Sequence, residues 1–158
     1  MFTFFLKKKT KFEKILFRSV FRGIGQMCFC GSEWGGLAMF LAMFLYDWKA
    51  GVLALSGSYF GALVSLLFGL DTSVIYSGLF SFNTALTMAG IGCIFATCNL
   101  QNILTAIWHC FVCICLQCSF SVVFSSAQLP SSSWPFNLCM VLFSVVAFRK
   151  KQKYIEFG

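Results

Sequence analysis

The feature that most constrains this chain is a segment of 77 residues, Thr72 to Phe148, that contains no Lys, Arg, Asp or Glu. A domain that folds in water needs charged side chains on its surface, so a charge-free segment of this length favours lipid as its solvent. At about 1.5 Å of rise per helical residue, against a hydrocarbon core about 30 Å thick, the segment allows roughly three crossings. The sequence therefore predicts an integral membrane protein.

Charged residues lie mainly at the two ends of the chain. The net charge is +7, with seven of the twelve basic residues in the first 22 positions and four in the last ten. Basic side chains that flank an apolar region are typical of anchors in the headgroup layer, where they meet anionic lipid. We therefore divide the chain into a basic interfacial segment, 1–21, a membrane region, 22–148, and a basic tail, 149–158. The basic residues do not interleave with exposed aromatic residues along one element, so we expect no nucleic acid partner.

The apolar runs predict an all-α fold: a polytopic membrane helix bundle with about five spans plus re-entrant or interfacial helices. The first run is amphipathic, because Lys14, Arg18 and Arg22 fall four residues apart on one helical face, and it is expected at the interface rather than across the membrane. The expected helical stretches are 12–29, 35–46, 50–70, 74–97, 103–124 and 136–148.

Polar and small residues interrupt the stretch 74–97. Asn83, Thr84 and Thr87 lie in its middle, and Gly90 and Gly92 follow. Polar groups at this depth are stable only where they face protein or a wet cavity. This stretch is therefore the first candidate for lining a pore.

The connection 125–135, Ser-Ser-Ala-Gln-Leu-Pro-Ser-Ser-Ser-Trp-Pro, is polar and contains both prolines of the chain. Pro130 and Pro135 break helices and leave carbonyls without a helical donor, which is useful where a polar molecule is held within the membrane. The composition fits a re-entrant segment and an exposed loop equally well.

Two local patterns predict details of helix packing and helix ends. Gly57, Gly61 and Ser65 fall four apart and form a small-residue stripe on which another helix can pack closely, although the stripe does not say which helix. Asp71 is followed by Thr72 and Ser73 before an apolar run, so we expect it to cap a helix N-terminus rather than to act in transport.

The nine cysteines suggest a rival function. Cys110, Cys113, Cys115 and Cys118 cluster beside His109, a spacing that resembles a metal or redox site. On one helix, however, the four side chains spread over an arc of roughly 200°, too wide for one tetrahedral ion. We expect small membrane-core residues and no metal, with a cysteine-based metal or redox membrane protein as the less favoured alternative.

Four short motifs occur in order along the chain and together resemble those of the urea transporter family. In that family the strings read approximately R-G-[IVS]-[GS]-Q-x-x-F, D-R-S, S-G-L-[FY]-G-[FY]-N and L-P-V-x-T-x-P-F. Each is short, but four in the same order at compatible spacing make the resemblance specific. The corresponding segments here are Arg22-Gly-Ile-Gly-Gln26 with Phe29, Gly69-Leu-Asp-Thr-Ser73, Ser77-Gly-Leu-Phe-Ser-Phe-Asn83 and Leu129-Pro-Ser-Ser-Ser-Trp-Pro-Phe-Asn137.

The resemblance implies one half of a larger architecture. Members of the family have two homologous halves of inverted topology, each about the size of this chain, and urea passes between them. We therefore interpret 22–148 as a urea-transporter-like half repeat. Among its departures from the family pattern, Thr72 replaces Arg, Ser81 and Thr84 replace Gly, and Ser133 stands where Thr is usual. The expected function is passive, channel-like urea transport, in which a second-half chain or an antiparallel copy closes the pore.

The chemistry of urea explains which residue types a pore needs. Urea is flat and strongly hydrated, with four N–H donors, and stripping its water costs several kcal/mol unless acceptor oxygens replace that water. Flat apolar walls and a row of oxygens along one edge would suit it. Backbone carbonyls at frayed helix ends near Asn83 and Pro135 are further candidates. The resemblance assigns pore roles to five positions. Phe29, Phe82 and Leu86 would form apolar walls, and Gln26 and Ser133 would supply side-chain oxygens.

Coupled transport and enzymatic catalysis are both disfavoured. Coupling to protons or sodium generally uses an intramembrane Asp or Glu, and none lies between Thr72 and Phe148. The chain has one His, no buried carboxylate pair and no glycine-rich phosphate loop, so we expect no enzyme and no cofactor. The expected location is a multi-pass position in a membrane, the plasma membrane in particular.

The distribution of basic residues bears on orientation. If the first helix stays at the interface and the other four stretches cross, both termini share one side. With the five spans that the resemblance implies, the termini lie on opposite sides, and one face carries seven basic residues against five on the other, including Lys49. This bias is weak, so the chain is able to insert both ways, and an antiparallel homodimer would rebuild the inverted repeat. The alternative to a conducting subunit is a truncated relative that folds in the membrane but conducts nothing.

Overall fold

A computed structural model of the protein describes residues 15–129 and 132–156, with side chains as far as 148. All regular secondary structure in these two ranges is helical, which confirms the all-α prediction. The helices are α1 over 15–26, α2 over Glu33–Tyr46, α3 over Trp48–Leu67, α4 over Thr72–Tyr76, α5 over Leu79–Ala89, α6 over Leu100–Ser126 and α7 over Trp134–Glu156; a π-helical turn, Gly90–Ile94, extends α5.

Two of the described helices are long and apolar enough to cross a membrane, α3 with 20 residues and α6 with 27. Three shorter apolar helices accompany them, over Glu33–Tyr46, Leu79–Ile94 and Trp134–Phe148. The architecture is therefore that of an all-helical membrane protein. The prediction of about five spans is not tested, since length and composition alone do not show which helices cross.

Side-chain caps separate the helices. Asp47 ends α2 and begins α3, where its Oδ1 accepts from the backbone N of Lys49 at 2.9 Å. The Asp71 Oδ1 accepts from the backbone N of Ser73 at 2.8 Å, which confirms the predicted N-cap of α4 and lowers the pKa of the Asp71 carboxyl.

The centre of the bundle is the contact between α3 and α5, and it uses the predicted small-residue stripe. A side chain at Gly57 would meet the backbone oxygen of Thr84 at 2.5 Å, and one at Gly61 would overlap the Thr84 hydroxyl. Ser65, which is fully buried, turns its hydroxyl back to the Gly61 carbonyl at 2.7 Å. The helix that the sequence left unnamed is α5, and its backbone lies directly on α3 because the stripe carries no bulk.

The described part of α1 packs into the bundle along one face. Ser19, Val20 and Ile24 are buried, the Ser19 hydroxyl donates to the Ile75 carbonyl at 2.7 Å, and the Ser58 hydroxyl donates to the Val20 carbonyl at 2.8 Å. The interfacial placement of 1–21 stays a prediction, because residues 1–14, with Lys14 among them, lie outside the described ranges.

The stretch 74–97 was expected as one run, and this expectation is wrong. Gly78 breaks it with a left-handed φ of 85°, so that α4 and α5 are separate helices. A Cβ at Gly78 would lie 2.5 Å from the backbone N of Gly23, so the break also lets α1 approach α5. A hydropathy pattern does not reveal a break of this kind, because hydropathy records neither backbone conformation nor contact with another helix.

The last helix begins and ends differently from the expected 136–148. It starts two residues earlier, at Trp134, with Pro135 buried in its first turn, where a missing N–H costs nothing. It also continues through the basic residues to Glu156. Pro130 lies outside the described residues.

We predict that Gly78→Ala destabilises the protein more than Gly69→Ala. Both glycines have positive φ, 85° and 68°, so both substitutions strain the backbone, by about 1 kcal/mol. Only a side chain at Gly78 meets neighbouring backbone, whereas nothing lies within 4 Å at Gly69. Overpacking should add about 1–3 kcal/mol to the loss of unfolding free energy. Thermal unfolding in detergent measures both, and equal losses would contradict the close approach of α1.

Candidate functional site

Gln26, the last residue of α1, lies against the break between α4 and α5. Its Nε2 donates to the Ser77 carbonyl at 3.4 Å, and the side chain remains partly exposed. Nearby, a Cβ at Gly23 would sit 3.0 Å from the backbone N of Phe82. The structure therefore brings the end of α1 to the start of α5, so that the two motifs containing these residues lie next to each other.

Phe29 closes the turn that follows α1, in a conformation that normally selects glycine. Its φ is 57°, and the backbone N of Cys30 donates to the Gly25 carbonyl at 3.0 Å, the bond expected when a left-handed residue terminates a helix. A bulky residue in this region of φ is an outlier. Phe29 is 89% exposed, so packing of its side chain against the described residues does little to offset the strain.

The walls proposed from sequence lie on α5. Phe82 is buried, with 9% of its surface exposed, and Leu86, one turn later, is partly buried. The two residues are four apart and share a helical face. Asn83, between them, is inside the helix, and its carbonyl accepts the Thr87 hydroxyl at 2.8 Å. The expectation of a frayed helix end near Asn83 is therefore wrong, because α5 continues to Ala89.

The Asn83 side chain is the centre of a buried polar cluster. Its Nδ2 donates to Gln117 Oε1 at 2.8 Å and to the Ser132 carbonyl at 3.1 Å. Both amide side chains are 1% exposed. Its Oδ1 is also buried, and no donor to it is found in the part of the chain that the structure describes. A buried acceptor without a donor is a departure from normal protein interiors.

Gln117 was missed by the sequence reasoning. It lies in the middle of α6, where apolar residues surround it in the sequence. The argument that singled out Asn83, that an amide in an apolar span needs a partner, applies to Gln117 equally and would have found it.

Ser133 lies in the turn before α7, beside the cluster. Its side chain is partly buried, and its carbonyl accepts from the backbone N of Asn137 at 3.0 Å. The carbonyl of the preceding residue, Ser132, is the one bound to Asn83. The connection 125–135 thus touches α5, although the choice between a re-entrant segment and an exposed loop stays open.

Two of the departures from the family motifs are accommodated by local contacts. The Ser81 hydroxyl lies 3.0 Å from the Ser19 hydroxyl, and the Ser81 Cβ occupies the space above Gly23. The Thr84 hydroxyl bonds the Phe80 carbonyl at 2.9 Å and packs on Gly61. Both residues are fully buried, so the larger side chains are built into the helix contacts.

The motif residue Arg22 belongs to an ionic cluster that joins α1, α2 and α4. Its guanidinium carbon lies 4.0 Å above the centre of the Tyr76 ring, and its Nη2 lies 3.5 Å from Glu33 Oε1. Arg18 Nη1 donates to the Tyr76 hydroxyl at 2.9 Å. These contacts hold α1 against the start of α4, close to Gln26.

The four cysteines of the predicted cluster point in different directions. Cys110 and Cys113 are fully buried, Cys118 is partly buried and Cys115 is exposed. The Cys110 thiol donates to the Thr84 carbonyl at 3.3 Å. Within the described ranges no three His, Cys, Asp or Glu residues are placed to hold one metal ion.

A large apolar groove, of about 620 Å³, lies away from these residues, between α1 and α3. Its walls include Phe17, Phe21, Leu55 and Tyr59, and none of the candidate pore residues contributes to it. In a membrane protein such a groove faces lipid or another subunit.

The fold and the site together define an all-helical membrane protein with an amide-lined polar site buried among its helices. The urea transporter family model matches residues 4–148, and the chain belongs to that family. Membership of a transporter family points away from enzymatic catalysis. The chain is 30% identical over 139 residues to urea transporter 1 of Ovis aries and to that of Capra hircus, and 27% identical to that of Rattus norvegicus. In each case the match covers 88% of this chain but only 36% of the relative.

We predict that Phe29→Gly is more stable than Phe29→Ala. Both substitutions remove the same exposed ring, but only glycine adopts the positive φ without strain, a difference of about 1 kcal/mol in the free energy of unfolding. The midpoints of thermal unfolding of the two variants in the same detergent measure it. A Phe29→Ala variant as stable as Phe29→Gly would mean that Phe29 does not hold the left-handed conformation.

Proposed function

We propose that this protein contributes one half of a passive, channel-like pathway for urea across a membrane, the plasma membrane in particular. Family membership supports this function, as do relatives whose names describe them as urea transporters. The chain spans about a third of those relatives, and we propose that a second half or an antiparallel copy of this one completes the pathway.

The observation that carries the proposal is the buried oxygen of Asn83. An amide acceptor held away from water costs about 1–3 kcal/mol when nothing donates to it. Urea has four N–H donors and loses its hydration on entering a narrow passage. The Asn83 Oδ1 is a group that replaces some of that water. The partly exposed Gln26 and the Ser133 hydroxyl add further oxygens on neighbouring segments.

Apolar rings supply the other component of a urea slot. Phe82 and Leu86 occupy one face of α5, beside Asn83. The Phe29 ring projects from the protomer with 89% of its surface exposed, so it is free to pack against a second half. Flat apolar walls exclude extra water, while the oxygens on one edge bind the amino groups.

Passive movement fits the charge-free segment. No Asp or Glu lies between Thr72 and Phe148, so this part of the chain offers no carboxylate to couple urea to protons or sodium. The second candidate is a membrane protein that folds but conducts nothing. It is favoured by the burial of Phe82, which leaves this ring little surface for a passing molecule.

We predict that vesicles containing the protein show stopped-flow urea flux and that Asn83→Leu reduces it about ten- to a hundredfold, the equivalent of one lost buried hydrogen bond. Asn137→Leu, the same change at an exposed position, should leave the flux unchanged. Gln26→Ala, Phe82→Ala and the strain-free Phe29→Gly should each lower it. Wild-type vesicles no more permeable than empty ones would favour the non-conducting alternative.

We predict that the conducting form contains both orientations of the chain. Replacing Arg149, Lys150 and Lys151 with Gln changes the bias from seven against five to seven against two and should fix one orientation. Tags on each terminus, probed from both sides of the membrane, measure the change. Flux should fall in this variant and return on co-expression with a variant biased the other way. Full flux from wild-type chains in one fixed orientation, with no second-half chain present, would exclude the antiparallel pair.

A further inference from the structure

Asn83 and Gln117 form an amide pair whose orientation can be deduced. Asn83 Nδ2 lies 3.1 Å from the Ser132 carbonyl, which can only accept a hydrogen bond. The atom of the Asn83 amide that faces the Ser132 carbonyl must therefore be the nitrogen, Nδ2. The Gln117 atom 2.8 Å from the same nitrogen must in turn be its oxygen, Oε1.

The other end of the Gln117 amide is tied to its own helix. Its Nε2 lies 3.4 Å from the Ser121 hydroxyl, one turn further along α6. The Ser121 hydroxyl donates its proton to the Gln117 carbonyl at 2.7 Å, so its oxygen is left to accept from the amide. The hydrogen bonds that link Ser132, Asn83, Gln117 and Ser121 thus each have a fixed direction of donation. Rotating the amide of Asn83 or of Gln117 would place two acceptor oxygens against each other.

The fixed direction determines which atom of Asn83 is left for other partners. Both bonds use Nδ2, so the atom without a donor in the described ranges is Oδ1. If Gln117 were apolar, one of the two acceptors that hold Nδ2 would be missing, and only the Ser132 carbonyl, in a turn, would oppose rotation of the amide. A rotated amide would present N–H groups, which repel the amino groups of urea.

We propose that Gln117 is a positioning residue for permeation: it holds the Asn83 side chain so that its oxygen faces the permeant. The inference rests on the proposed function, since it names the residue that orients the acceptor on which that function depends. Gln117 acts through Asn83 and is not itself required to touch urea. It also explains an amide in the middle of α6, a helix otherwise dominated by apolar residues and small hydroxyl or thiol side chains.

The orientation itself is tested by NMR without any transport. The chain has four asparagines, Asn83, Asn99, Asn102 and Asn137, so ¹⁵N-asparagine labelling gives four side-chain NH₂ signals in detergent, and Asn83→Leu identifies the relevant one. Gln117→Met, similar in shape but without the acceptor, should shift the Asn83 signal and speed its hydrogen exchange with solvent. Gln117→Glu, whose protonated carboxyl keeps an oxygen that accepts from Asn83 and gains an O–H that donates to Ser121, should preserve both. An Asn83 signal that Gln117→Met leaves unchanged would overturn the proposal.

Urea flux then tests whether the orientation matters for permeation. Gln117→Met should lower the flux about tenfold, and Gln117→Glu should keep it within about twofold of wild type. The double variant Asn83→Leu/Gln117→Met should conduct no less than Asn83→Leu alone, because Gln117 acts only through Asn83. Losses that multiply would instead assign Gln117 a separate role in packing and overturn the proposal.

The two kinds of measurement separate the failure of this inference from the failure of the proposed function. If vesicles with the wild-type protein show no urea flux, the proposed function fails. The role of Gln117 in permeation then fails as well, even when the NMR shows the expected orientation of Asn83. If vesicles with the wild-type protein show urea flux but the Asn83 signal is unchanged in Gln117→Met, only the positioning role of Gln117 fails.

Discussion

The close approach of α5 to its neighbours is the constraint on which the rest of the structure depends. The helix rests on Gly57 and Gly61 of α3, where a side chain would meet its backbone, and Gly23 of α1 meets its first turn. In lipid the hydrophobic effect gives helices little reason to associate, so close van der Waals contact at small residues must supply the attraction. Because α5 is held on these two sides, Asn83 and Phe82 have defined surroundings, and the candidate site inherits its geometry from the packing.

In the charge-free interior of this bundle, each buried polar side chain needs a hydrogen-bond partner from the protein. Many of the hydroxyls in the long helices bond carbonyls three or four residues earlier on the same helix, as Thr87 does with Asn83 and Ser65 with Gly61. The amides cannot satisfy themselves in this way, because each has two donors and an acceptor. Asn83 and Gln117 therefore reach across helices, and within the described residues the Asn83 Oδ1 is one of two buried side-chain atoms without a partner, the other being Arg22 Nε.

The sequence was sufficient for properties that depend on local pattern. The membrane environment, the helical fold, the cap at Asp71 and the small-residue stripe on α3 all follow from residue type and spacing, and the structure agrees with them. Features set by contact between distant segments were not predictable in this way. The break at Gly78 depends on α1, and the helical position of Asn83 and its bond to Gln117 depend on how α5 meets α6. Motif resemblance singled out Gln26, Phe29 and Phe82, and their pore roles stay predictions.

Phe29 combines a strained backbone with an exposed side chain. A left-handed backbone at a bulky residue costs stability, and such strain persists only where the surroundings or the function require it. Phe29 is 89% exposed, so packing against the described residues does not explain its position. A glycine at this position would close α1 without strain, as it does at the ends of many helices. Under the proposed function, strain and exposure share one explanation: we propose that the Phe29 ring packs against the second half, at the boundary where the proposed urea path runs.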